Sequence, residues 1–233
     1  MSQTYPLSIF YRSFFLALLC LLFVGLMSGC KDDDNDSPDP DPYTITVSDV
    51  IGIPDHVVFD RVKVEISGTC WEIIGSVEAT YEHGDAVLTI PSVFLSEKLQ
   101  KVDRSGNDMC GHWDVTASDP NALVARLGDF FAYNGDKRVG RIYLTDWTGE
   151  GSNSEKAFIY YHYTDRPFTL SGYNNQSSYV YSTSFKKGWN AYANINPVEQ
   201  FDSNGNVIRG AILCTTSFSD RTALRWRFES YMY

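Results

Sequence analysis

Arg61-Val62-Lys63-Val64-Glu65-Ile66 alternates a charged residue with a β-branched one at every step. A period of two puts Val62, Val64 and Ile66 on one face and Arg61, Lys63 and Glu65 on the other. That is the pattern of a strand with one side buried and one side wet. The pattern continues outward. Ile73, Val77, Ala79 and Tyr81 share a parity, opposed by Glu78, Thr80 and Glu82. His83-Gly84-Asp85 follows, and then Leu88 and Ile90, so a glycine-bearing turn joins two alternating runs as a hairpin. Pro91, with no N–H to give to a ladder, ends the second run.

The same reading carries through the rest of the domain. A strand through Leu127, Asp129, Phe131 and Tyr133 leads to Asn134-Gly135, whose positive φ angles suit a type I′ hairpin turn, and Val139 to Trp147 is its partner. A short helix over Ala122 to Phe131, with Pro120 at its first position, is the alternative for that segment. Phe158, Tyr160 and His162 take one face of the next strand, and Ile159, Tyr161 and Tyr163 take the other. Apolar or aromatic residues on both faces place it centrally in a two-layer structure. Gly172 to Ser178 is a polar tip, and Tyr179 to Phe185, Trp189 to Ile195 and Val207 to Thr215 are strands. In the last strand Leu224, Trp226 and Phe228 point inward and Arg225 and Arg227 outward. About ten strands, short turns and no long helix define an all-β antiparallel β-sandwich, with a closed or partly closed barrel as the alternative.

Before this domain lie two segments of different character. Phe14 to Leu26 is apolar apart from Cys20 and Gly25, and Arg12 is the only charge upstream of Cys30. This run is shorter than the ~20 apolar residues of a spanning helix and matches a secretory signal. Leu26, Ser28 and Gly29 leading to Cys30 resemble the lipobox of bacterial lipoproteins. The resemblance implies lipidation of Cys30, cleavage before it and acylation of the new amino group. Lys31-Asp32-Asp33-Asp34 resembles the export signal of Bacteroidota-type surface lipoproteins, which implies an outer-membrane protein facing the cell exterior. Residues 31–42 hold six aspartates and three prolines, a composition too polar to bury a core and extended by charge and proline stiffness. The domain boundaries are therefore a signal at 1–29, a lipidated cysteine and tether at 30–42, and the β domain at 43–233.

The formal net charge is −10, and residues 43–233 keep 17 basic and 23 acidic side chains. A mildly acidic domain argues against nucleic acid, which needs a basic face. Of the five cysteines, Cys20 leaves with the signal and Cys30 is the lipid site. Cys70, Cys110 and Cys214 remain; three cannot pair fully, so at least one stays free or pairs between chains, Cys70–Cys110 being the favoured pair if one forms and three reduced thiols the alternative, and Cys214, in phase with Ile208 and Ile212, reads as a buried thiol.

No catalytic residues, metal ligands or cofactor are read from the sequence. His56, His83, His112 and His162 have no zinc-ligand spacing, and Cys110-Gly111-His112 reads as a loop with a packed cysteine. No G-x-S-x-G elbow occurs, and Gly149-Glu150-Gly151-Ser152 lacks the strand–helix context of a phosphate loop. Asp146, Glu150 and Asp165, near aromatics, are the first suspects for a hydrolytic carboxylate pair, against an ordinary role as solvated loop acids. Trp113, Trp147 and Trp189 fall at strand ends or turns and are the candidate ligand-contacting aromatics, since tryptophan stacks on sugar rings and anchors protein partners; the competing role is plugging the ends of the sandwich.

A second resemblance covers most of residues 57–229. Val77 to Gly84 with Leu88-Thr89-Ile90-Pro91, Tyr161 to Gly172, Lys186-Lys187-Gly188-Trp189-Asn190 and Leu224 to Phe228 resemble a group of Bacteroidota surface lipoproteins. It implies a surface β domain and brings no catalytic residues with it. His83 departs from that group, which tends to have asparagine before the turn glycine. The functional expectation is a lipid-anchored cell-surface binding or accessory module, whose partners are membrane lipid through Cys30 and a glycan or surface protein. A structural subunit of a surface complex and a carbohydrate-active hydrolase are the alternatives.

Overall fold

The computed structural model describes residues 42–68, 71–102, 114–148, 154–174, 178–198, 200–204, 207–208 and 210–231. Cys30, Lys31, Asp32, Asp33 and Asp34, together with Cys70, Cys110, His112, Trp113 and Glu150, lie outside the described residues.

The fold is all-β. Its strands in chain order are β1 (Tyr43–Ser48), β2 (Arg61–Ser67), β3 (Ile73–Thr80), β4 (Asp85–Ile90), β5 (Gln100–Lys101), β6 (Asp114–Ala117), β7 (Leu123–Asn134) and β8 (Lys137–Thr145). They continue with β9 (Lys156–Thr164), β10 (Phe168–Asn174), β11 (Tyr179–Phe185), β12 (Gly188–Asn196), β13 (Gln200–Phe201), β14 (Val207–Ile208), β15 (Ile212–Thr215) and β16 (Arg225–Ser230). There are more than the ten expected because β5, β13 and β14 are two-residue ladders, β10 precedes and runs into the expected polar tip, and the expected strand from Val207 to Thr215 breaks into β14 and β15. Segment 122–131 is strand from Leu123 onward, not helix.

A large sheet runs β3-β2-β7-β8-β9-β12-β15-β11-β10-β6, with β16 added on β8 and β5 on β7. Every ladder in it is antiparallel except β11 with β15. β1 and β4 pair separately and form a small second layer. Between the layers lies the main core. Val62, Val64 and Ile66 meet Ile45, Val47, Leu88 and Ile90, each at most 4% exposed. Alternation thus buries the face that the period-two pattern selects, in both layers. Trp226 and Phe228 enter the same core, and the Trp226 indole N–H donates to the Thr46 carbonyl at 2.9 Å, which ties β16 to the small layer. Ile51 bridges the two as well, donating to Trp226 O and accepting from the Phe228 amide, each at 2.9 Å.

A second core forms on the opposite face of the large sheet from Val102, Ala122, Val124, Phe168, Leu170 and Phe185. β7 and β10 are far apart in the strand order, so their contact requires the sheet to curl over. It curls without closing into a barrel. Strand β9 therefore has core on both sides, with Ile159, Tyr161 and Tyr163 on one and His162 on the other.

Two hairpin turns show how glycine position sets turn type. His83 (φ 55°) and Gly84 (φ 93°) are both left-handed between Glu82 and Asp85, which form a bridge, as a type I′ turn needs. At the next hairpin Asn134 pairs with Lys137, so the turn residues are Gly135 and Asp136. Only Gly135 has positive φ, at 56°. That is the requirement of a type II′ turn, with glycine first, and it corrects the expected type I′ turn at Asn134-Gly135.

Candidate functional site

The large sheet forks at β7. The first half of β7 pairs with β9 through Val124–Thr164, Ala125–Tyr163 and Arg126–His162, while its second half pairs with β8 from Phe130 onward. β8 and β9 meet again only at Thr145–Phe158. At the fork, β7 carries a bulge. On β2, Val64 faces Phe130 and Ile66 faces Leu127, so Gly128 and Asp129 together stand opposite Glu65. Leu127 and Phe130 are both buried, and Gly128 and Asp129 are both exposed. An extra residue of this kind re-aims the side chains beside it. It breaks the simple parity of Leu127, Asp129, Phe131 and Tyr133 expected from the sequence.

A second bulge lies nearby on β3, where Ile66 faces Gly75 and Ser67 faces Ile73. Ile74 consequently packs on the main core, and Ile73 turns out to the opposite face, 57% exposed. This corrects the expectation that Ile73 shares the inward parity of Val77 and Ala79. Trp71, just before it, is 58% exposed and has a φ of 64°.

Between these bulges the outer face of the sheet forms a groove. One part, about 460 Å³, is lined by Trp71, Ile73, Arg126, Tyr160, His162 and Tyr192. The other, about 330 Å³, opens at the fork and is lined by Arg141, Tyr143, Phe158 and Tyr179. The two adjoin, sharing Leu127, Gly128, Asp129 and Tyr160 in their linings. The rings are arranged in pairs: Tyr160 and Tyr192 have centroids 5.7 Å apart and Tyr143 and Phe158 5.5 Å apart. Tyr160 and Tyr192 are direct cross-strand neighbours.

Both groove arginines are engaged by neighbouring side chains. The Arg126 guanidinium sits 4.5 Å from the Trp71 ring centroid, in cation–π geometry. Arg141 bonds Asp129 at 3.3 Å and also Glu229. His162 is fully enclosed, its Nε2 3.3 Å from the Tyr192 hydroxyl and its Nδ1 without a partner among the described residues. Burial, reinforced by the Arg126 charge, holds His162 well below its ordinary value, so its ring is neutral. Burial raises the Tyr160 and Tyr192 phenols, which stay protonated and able to donate.

The described residues singled out from the sequence, Trp147, Trp189, Asp146 and Asp165, are not among those that line the groove. Trp189 packs against Tyr43, Phe94 and Tyr163, with centroids 5.7 to 6.5 Å away, and its indole N–H donates to the Pro91 carbonyl at 2.7 Å. Trp147 lies between Lys156 and Arg227, 5.4 and 5.1 Å from its ring centroid. Asp146 accepts from the Ala157 amide at 2.7 Å and pairs with Arg221, which also binds Glu155. Asp165 accepts from the Leu123 amide at 2.8 Å and pairs with Arg166. Cys214 is buried, its thiol pushed up to about 12 by burial and 2.9 Å from Asn194 Oδ1. The described residues hold no cluster of three or more metal-ligating side chains and no helix long and apolar enough to cross a membrane.

What the geometry defines is an open β-sandwich with an aromatic groove on the outer face of its larger sheet. No family model, curated protein or solved structure matches the chain.

Proposed function

We propose that the chain is a lipid-anchored cell-surface binding module that uses the outer-face groove as its ligand site. The observation that carries this reading is the groove itself. Two exposed aromatic rings, Trp71 and Tyr160, and the half-buried rings of Tyr143, Phe158 and Tyr192 line a concavity on the sheet beside a few polar groups, the usual make-up of a ligand site. Isolated exposed apolar residues need no explanation, but contiguous ones in a concavity do. The anchor half of the proposal rests on Cys30 and its flanks, and the outward-facing half on Lys31 and the aspartates after it.

Gly128→Phe tests the site. A Cβ added at Gly128 meets nothing nearer than Glu65 O at 3.5 Å, so the ring enters the groove and leaves the core alone. Tryptophan fluorescence titrations with sugars, peptides and nucleotides should find a ligand class that binds wild type and fails on Gly128→Phe. Equal binding to both proteins for every ligand that binds would remove the groove as the site. The hydrolase alternative has its own readout: new reducing ends from a glycan, lost in Asp129→Asn, would move the reading to an enzyme.

A further inference from the structure

Resting on the groove being the binding site, we infer that its ligand is a neutral oligosaccharide chain lying across strands β2, β7, β9 and β12. Three features of the groove lead there.

The first is the pairing of ring faces with mixed polar groups. A pyranose ring presents an apolar face of C–H bonds and a rim of hydroxyls, each able both to donate and to accept. Trp71, Tyr160 and Tyr192 supply the apolar counterparts. Arg126 and Arg141 supply donors, and Glu65 and Asp129 supply acceptors. Adjacent hydroxyls satisfy both kinds at once. A proline-rich peptide, the other common occupant of aromatic grooves, offers carbonyl acceptors and few donors, so it would bring nothing to Glu65 and would leave Asp129 with no more than its Arg141 partner.

The second is charge. Two arginines and two carboxylates line the groove, and Arg141 is bonded by both Asp129 and Glu229. A polyanionic chain or single-stranded nucleic acid needs a positive groove along its backbone, and this one is balanced.

The third is length. Four adjacent strands at ~4.8 Å spacing span ~14 Å, longer than a single sugar ring. A second depression, at the fork, adjoins the first part of the groove at Gly128 and Tyr160. A chain, not a monosaccharide, fills it.

The test titrates the full chain with neutral oligosaccharides of increasing length, with matched uronic-acid chains and with a proline-rich peptide. Wild type, Trp71→Ala and Gly128→Phe are compared. Trp71 is largely exposed, and unchanged circular dichroism checks that both variants fold. The expected result is a neutral series whose affinity rises with length and is insensitive to added salt. It should fall roughly tenfold or more in each variant, the scale of removing an aromatic anchor. Preference for the uronic-acid chains or the peptide, with the same sensitivity to both variants, would leave the groove as the site and overturn the neutral-sugar class. Neutral-chain binding undiminished in both variants would overturn both readings. Absence of binding to every chain would overturn the sugar class.

Discussion

His83 holds a left-handed φ of 55° at the first central position of its turn. Side chains without a second substituent on Cβ tolerate that region best, and asparagine before glycine is the preferred type I′ pair. His83→Asn is therefore expected to raise stability slightly, while His83→Val should cost roughly 1–2 kcal/mol, the penalty of a crowded left-handed residue. Denaturant midpoints give the order directly. His162 offers a pH test. Its folded-state pKa is depressed by burial and by Arg126, so the folded protein refuses a proton that the unfolded chain accepts below the ordinary value of 6.5. Stability contributed by the neutral ring is complete above that pH and declines as pH falls below it, by up to ~1.4 kcal/mol per unit. His162→Gln should flatten the dependence between pH 6.5 and mildly acid conditions; an identical slope in the variant would mean that His162 is protonated in the fold. Neither residue announces its role in sequence. His83 shows only as a turn, and the enclosure of His162 depends on Phe185 and Tyr192 arriving from β11 and β12.

At the scale of strands, period-two alternation carried the reading far. It locates β2, the β3–β4 hairpin and β16 and selects their buried faces, Ile73 apart, because each face is buried or wet along most of its length; β9, apolar on both faces, it places centrally instead. It failed where a strand carries an extra residue. The bulges at Gly128-Asp129 and beside Ile73 shift parity in mid-strand, and nothing in residue type distinguishes a bulge from a simple irregularity. Those two positions border the groove, so the binding face was the least legible part of the sheet. The one signal available was the doubly aromatic β9, whose second parity includes Tyr160. β16 is the clean case, and it supports a quantitative expectation. Trp226 is 6% exposed with its indole N–H bonded to Thr46 O. Trp226→Ala should cost ~3–5 kcal/mol, whereas Arg225→Ala, on the exposed parity, should stay within ~0.5 kcal/mol. Urea unfolding of the two variants decides it, and equal midpoints would invert the face assignment. Gly140 makes the same strand pair close-packed, since a Cβ there would lie 2.3 Å from the Phe228 ring.

The choice between sandwich and barrel is a property of the whole molecule, and alternation is blind to it. Curl depends on where bulges fall and on how β7 divides its partners between β8 and β9, and neither is encoded in a local pattern. Anchoring, in contrast, is a property of the sequence alone. Residues 39–233 form a compact unit with its own core, and the proposed attachment point, Cys30, lies before it. If lipid on Cys30 is what holds the protein, fold and anchor separate cleanly. Single acyl chains bind membranes only marginally, and two or more give stable attachment. Cys30→Ala should then abolish fatty-acid labelling and membrane association while leaving the unfolding midpoint of the β domain unchanged. Replacing Asp32, Asp33 and Asp34 with alanine should preserve the label and reduce cleavage by protease added to whole cells. The two variants dissect one segment into two roles, attachment and address. Persistent labelling of Cys30→Ala would remove the lipoprotein reading altogether. Full protease access in the aspartate variant would leave residues 31–42 as spacer, and the groove would then need another argument for facing the cell exterior.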